Sequence, residues 1–244
     1  MHPLFAKSKQ ELLWQLDRYP SLFGLQMRLR ASRHLAVTPE SELCIEGFPR
    51  SGNTFAAAAF EHAQGRGVRV GRHVHSPGHV LRALDLGIPT MVVVRKPPDP
   101  ILSLVVRQPA VSVAQATRAY VHFYERLLAV RDQVIVAPFD VVIDDFGTII
   151  EALNRRFGTS FETFLGDTAS RNAIRQRIEA MERDDSGADG IREHAVSRPS
   201  QERDAAKAQL LGAWHNASLA SWRDRAERAH DQFYAGWTEN KGHG

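Results

Sequence analysis

Three groups of residues in this chain have the types and spacing to hold an anion and move a proton. The first is the run Gly47-Phe48-Pro49-Arg50-Ser51-Gly52-Asn53-Thr54, in which glycines bracket a cation and a hydroxyl. A glycine turn that opens a helix aims backbone N–H groups, and the positive end of the helix dipole, at phosphate-like groups. The run misses the nucleotide-triphosphate pattern GxxxxGK[ST] at one place: Asn53 stands where the lysine would be, and the cation is Arg50, inside the loop. A kinase or ATPase built this way would lack its usual charge for the β- and γ-phosphates. The second group is Arg95, which closes an apolar run, with Ser103 eight positions later. An arginine fork matches a terminal phosphate dianion better than lysine does, and a nearby serine can add a hydroxyl to the same oxygen cluster.

The third group is Arg72-His73-Val74-His75-Ser76-Pro77. On a strand, residues two apart share a face, so His73 and His75 are expected to point the same way. An imidazole titrating near neutrality is suited to accept a proton from an attacking hydroxyl or amine. Plainer readings stand beside each group. The first can be an ordinary turn with a solvated arginine, the second a surface ion pair, and the third a structural histidine pair. His73, His75 and His79 can also be read as metal ligands, although no cysteine or well-spaced carboxylate lies near them in sequence.

The elements that must position these groups alternate between strand and helix. Leu43, Cys44 and Ile45 read as a first strand, with Cys44, the single cysteine of the chain, as a small core residue. Phe55 to Phe60 holds four consecutive alanines and reads as helix. A short strand is expected around Val70 to His75, and a strand buried on both faces at Thr90 to Val94. A helix carrying Ile101, Leu102, Val105 and Val106 follows. Ser112 and Gln115 form a capping box for a longer helix through about Val130. Val134 to Ala137 reads as another strand, and the apolar stripe Phe146, Ile149, Ile150, Leu153 and Phe157 as a helix stopped by Gly158.

Such alternation calls for an α/β fold with a mostly parallel central sheet covered on both faces. The expected division is a helical extension over residues 1–40, with pieces at 8–17 and at Leu22 to Leu35, then one domain over 41–244 ending in a helical region. At 43% hydrophobic and 24% charged residues, the 244-residue chain has an ordinary globular composition. A net charge of +3 is too mild to argue for nucleic acid and is compatible with a compact anion. With neither a signal peptide nor an 18-residue apolar span in view, the expected location is cytoplasmic, with no transmembrane segment.

Pro49 to Phe55, PRSGNTF, resembles the 5′-phosphosulfate loop of the sulfotransferase family, and the resemblance runs in order over about residues 42–160. RKPPDPILS, with Arg95 and Ser103, matches the family segment that grips the 3′-phosphate of 3′-phosphoadenosine 5′-phosphosulfate (PAPS). His75 and Pro77 match the histidine and proline of the family's K-x-H-x-P strand, whose histidine is the general base, while His73 replaces the lysine. Phe139 and Asp140 fall at an aromatic-acid position where tyrosine is common, and no RKG-type loop is found; Ser197 to Ser200 with Arg203 can take its place or can equally be an ordinary helix start.

The resemblance therefore implies a P-loop NTPase-like three-layer α/β/α sandwich and a PAPS-dependent sulfotransferase. Pro49, Arg50, Ser51, Gly52, Asn53, Thr54, Arg95 and Ser103 would bind the donor, and Arg50 and His75 would act in catalysis. The arginines would supply the positive charge, with no metal ligands implied. The acceptor would be a small molecule or glycan carrying a hydroxyl or amine. A divergent P-loop kinase and a non-catalytic nucleotide-binding adaptor are the alternatives; the acceptor and the oligomeric state are not legible.

Overall fold

The computed structural model describes Met27, residues 34–186 and residues 201–241. But for Met27, His34 and Leu35, the N-terminal helices expected at 8–17 and at Leu22 to Leu35 lie outside them, as do Ser197 to Ser200. The described chain is an α/β structure around a four-stranded parallel sheet. In order, β1 (Leu43–Gly47) leads to α1 (Asn53–Gln64), β2 (Val70–Arg72), α2 (Pro77–Asp85) and β3 (Thr90–Val94). Then come α3 (Asp99–Arg107), α4 (Val113–Leu127), a 3-10 turn (Leu128–Gln133), β4 (Ile135–Pro138), α5 (Phe139–Asp144) and α6 (Phe146–Phe157). The chain closes with α7 (Thr168–Ser186), α8 (Gln201–Trp214), a short 3-10 turn and α9 (Ala220–Lys241).

Strand order is β2-β1-β3-β4. The chain thus moves outward from β1 to β2 on one side, then crosses back to β3 and on to β4. Parallel crossovers are right-handed, so this reversal sends helices to both faces and is compatible with three layers. It also opens a crevice between the carboxyl ends of β1 and β3, where open parallel sheets gather ligands. Register sharpens the point. Gly47 lies opposite Val93 and Val94 opposite Pro138, so the loop after β1, Arg95 and Phe139 leave the sheet side by side.

β1 and β3 are buried along their whole length, which explains their largely apolar sequences, with Glu46 the charged exception. Cys44 is fully buried beside Ala83 and Ile88, a core residue as expected. The Ser112–Gln115 capping box forms, and α6 ends on Gly158 at φ 66°. α4 stops at Leu127 and continues only as a 3-10 turn to Gln133, short of its expected extent as one helix.

One expectation is overturned. The strand expected through His75 ends at Arg72, and both His73 (φ 58°) and His75 (φ 54°) are left-handed. Among the described residues β2 is an edge strand paired with β1 alone, and the ladder stops at Ile45–Arg72 although β1 runs on to Gly47. A side chain takes the next N–H groups instead, as described below.

Candidate functional site

The loop after β1 is a sharp reversal. Arg50 sits at φ 69° and Gly52 at φ 99°, and the Ser51 N–H closes the turn onto the Phe48 carbonyl at 3.2 Å. Gly52 is the N-cap of α1 and has no side chain to offer the orphan N–H groups of the first turn. A Cβ there would also stand 3.0 Å from the Phe139 ring. Gly47 is required for a different reason: a Cβ would lie 2.6 Å from both the Val93 carbonyl and Asn53 Oδ1.

Asn53, in the place a P-loop lysine would occupy, turns its side chain back into the loop. Its Nδ2 donates to the carbonyls of Gly47 (3.3 Å) and Phe48 (3.1 Å). Its side-chain N–H groups are therefore turned to the loop's own carbonyls. Ser51 is fully buried beside the Tyr124 hydroxyl, and among the described residues its Oγ makes no hydrogen bond of good geometry. A buried hydroxyl short of a well-aligned partner costs about 1–3 kcal/mol. Pro49 forms part of the turn and is half-buried.

The second expected group joins the first. Arg50 Nε donates to Ser103 Oγ at 3.1 Å, and Arg95 Nη1 donates to the Arg50 carbonyl at 2.9 Å. The Arg95 guanidinium carbon lies over Phe139, 3.7 Å from the ring centroid, and the side chain also pairs with Asp99. Tyr120 in α4 donates to the Arg95 carbonyl at 2.8 Å, and Tyr124 to the Val93 carbonyl at 2.8 Å. Both hydroxyls pin the end of β3, a support the sequence reading missed.

α8 covers this cluster. Lys207 bridges Asp99 (2.7 Å) and Asp204 (2.8 Å), and Arg203 is buried at 8% exposure. Burial pulls the Arg95 guanidinium below its ordinary value; Asp99 opposes this, and the Arg203 charge adds to it. Arginines gathered so closely in a partly buried place suit an anion.

The histidine group forms by a route the strand reading did not foresee. Two left-handed residues flank Val74, whose side chain is fully buried, and the imidazoles of His73 and His75 stack at 5.9 Å with 29° between their planes. Arg72 Nη1 lies 3.0 Å from His73 Nδ1. A guanidinium can only donate, so His73 carries its proton on Nε2, and that atom is buried with no protein partner. Burial, then the charges of His75 and Arg72, push His73 down to about 3. His75 Nδ1 lies 2.9 Å from the Gly47 carbonyl, an acceptor, so the neutral ring keeps its proton on Nδ1 and its lone pair on Nε2.

The residue that sequence reasoning missed is Glu46. It is fully buried on β1, and its carboxylate accepts from the N–H groups of Val74 (2.9 Å) and His75 (3.0 Å) and from His79 Nδ1 (2.7 Å). Burial would raise this carboxyl, but the hydrogen bonds it accepts from His79 and the Val74 N–H hold it below the usual range. The signal was an acidic residue inside an otherwise apolar strand, immediately before the glycine loop. The His73–His75–His79 metal set is not assembled, because His79 Nε2 accepts from the Val37 N–H at 2.8 Å while Nδ1 serves Glu46. Among the described residues no group of three or more His, Cys, Asp or Glu side chains is arranged to hold a metal ion.

Comparison with protein-family models, with curated proteins and with solved structures finds no match to this chain. Among the described residues no helix is long and apolar enough to cross a membrane.

Proposed function

We propose that the chain is a sulfotransferase of P-loop-type three-layer α/β/α architecture, moving a sulfuryl group from PAPS to a hydroxyl or amine of an acceptor. The observation that carries this reading is the linked cluster Arg50–Ser103 and Arg95–Arg50 at the mouth of the β1/β3 crevice, beside the uncapped start of α1. His75 is tied to the same loop through the Gly47 carbonyl. Two anion-binding arginines, a helix start and a basic nitrogen within one short stretch are the parts that transfer from a phosphosulfate needs. The buried His73 Nε2–H, without a partner among the described residues, fits a ligand rich in oxygen acceptors.

In the proposed chemistry the first-turn N–H groups and Arg50 hold the 5′-phosphosulfate and stabilise the charge that grows on the leaving phosphate. Arg95 and Ser103 orient the nucleotide through its 3′-phosphate, which is what separates it from ATP. His75 Nε2 takes the acceptor's proton as the acceptor oxygen or nitrogen attacks sulfur in line. The bond from sulfur to the bridging phosphate oxygen breaks, and its electron pair leaves with adenosine 3′,5′-bisphosphate.

The inward turn of Asn53 Nδ2 argues against the kinase alternative, since no cation stands at the position that serves β- and γ-phosphates. Thermal unfolding with adenosine 3′,5′-bisphosphate, and separately with ATP and magnesium, tests the reading. Ligand at about 100 times its dissociation constant adds about 2.7 kcal/mol to a protein that binds it. Stabilisation by the bisphosphate is the expected result. Stabilisation by ATP with magnesium alone would overturn the reading.

A further inference from the structure

We infer that Glu46, oriented by His79, is the positioning residue of this site: it fixes the backbone of His75 and supports the charge that ring acquires on taking a proton. The inference rests on the reading of His75 as general base and adds to it a residue from a different element. Glu46 stands on β1, while the N–H groups it collects belong to the turn after β2.

The backbone comes first. A non-glycine residue in the left-handed region is strained and persists only where its surroundings impose it. Here two such residues, His73 and His75, lie either side of Val74. One carboxylate takes the Val74 N–H on Oε1 and the His75 N–H on Oε2, which a β-ladder would otherwise have claimed. Its Oε2 also lies 3.4 Å from the Gly47 N–H, joining the histidine turn to the start of the anion loop.

The charge follows from tautomers. His79 accepts the Val37 N–H on Nε2, so that nitrogen must keep a lone pair, and its single proton sits on Nδ1, facing Glu46. His79 is therefore a neutral donor, and the negative charge of Glu46 is not cancelled by it. Glu46 Oε2 lies 3.8 Å from His75 Nδ1, too far for a hydrogen bond and close enough for a strong Coulomb attraction once His75 is protonated. Among the described residues the other charged and titratable groups around the pair include Arg72 at the end of β2, which also faces Glu61 of α1 at 3.6 Å, His73 across the turn, Cys44 on β1, and Arg107 of α3, whose charge acts on His73. With positive charge on the His73 side and negative charge on the Glu46 side, the two stacked rings are unequal: His75 is the one favoured to take a proton.

NMR titration of the imidazoles in the full chain tests this without requiring turnover. In Glu46→Gln the His75 midpoint should fall by about 1–3 pH units, the usual effect of losing an opposite charge at this range, and kcat should fall with it. An unmoved midpoint would overturn the inference. Because Glu46→Gln buries a new donor and can fail to fold, the wild-type chain gives a second reading. The labelled Glu46 carboxyl carbon should shift at the same pH as the His75 ring, and a carboxyl signal blind to that titration would equally overturn the pairing. Coupling in a chain that transfers no sulfuryl group would uphold the pairing and remove the transferase reading. A Glu46→Gln chain with full transfer and an unmoved midpoint would do the reverse.

Discussion

Arg95 Nη1 donates to the carbonyl of Arg50 across the crevice between β3 and β1, at 2.9 Å. One arginine thereby sets the backbone that carries the other, and the Arg50 guanidinium continues the chain to Ser103. A fork geometry makes this workable. One nitrogen holds the loop, another pairs with Asp99, and the guanidinium carbon lies over Phe139.

Arg95→Lys should therefore behave as a severe change despite the retained charge. An ammonium on a flexible stem cannot hold the Arg50 carbonyl, pair with Asp99 and lie over an aromatic ring together. Affinity for adenosine 3′,5′-bisphosphate should drop about 10- to 100-fold, equivalent to about 1.4–2.8 kcal/mol. Titration calorimetry measures this directly, and wild-type affinity in the variant would show that the fork is not used.

Gly52→Ala should destabilise the chain even though alanine favours helices. The φ of 99° is hostile to any Cβ, and the added methyl would meet Phe139 ring carbons at 3.0 and 3.2 Å. A loss of about 1–3 kcal/mol is expected, read as a lower urea midpoint with an unchanged slope. A variant as stable as the parent would mean that the loop relaxes without strain.

Replacing the proposed general base should separate chemistry from binding. His75→Ala is expected to lower transfer about 10²- to 10⁴-fold while adenosine 3′,5′-bisphosphate still binds, because Arg50, Arg95 and Ser103 are untouched. Single-turnover rates alongside calorimetry give both quantities. Full transfer by the variant would remove His75 from the mechanism.

His73 should make folding stability pH-dependent, and the sign is determined. The folded ring is held neutral down to about 3, whereas an unfolded histidine protonates near 6.5. Below that pH the unfolded chain binds the extra proton, so stability is full above it and is lost as pH falls towards the folded value. The slope is at most about 1.4 kcal/mol per pH unit for one group. Urea unfolding at several pH values between 7 and 4 should show a shallower loss in His73→Gln than in the parent. Parallel curves would show that His73 protonates as freely in the folded chain as in the unfolded one.

Elements defined by local pattern were legible. Thr90 to Val94 is the strand the β-branched run foretold, the Ser112–Gln115 box caps its helix, and Gly158 ends α6. Propensity, capping and glycine stops act within a few residues, so they are written in a few residues. The histidine turn was not legible in the same way. A pattern of alternate residues says strand, and only the edge position of β2 and the reach of Glu46 turn it into two left-handed residues.

By itself, then, the sequence determined the residue types of the site and the helices and strands that carry them: an arginine in a glycine loop, an arginine after a buried strand, a histidine pair. The tertiary structure decided which of them meet. Parallel pairing of β1 with β3 sets Arg50 beside Arg95, and pairing of β1 with β2 sets Glu46 beneath Val74 and His75. Such contacts join residues about 30 to 50 positions apart, as in the separations of 28, 29 and 45 along the chain. Local propensity acts over one or two helical turns. At larger separations, strand order and register select the partner, because burying both faces of the sheet fixes which strand ends lie together.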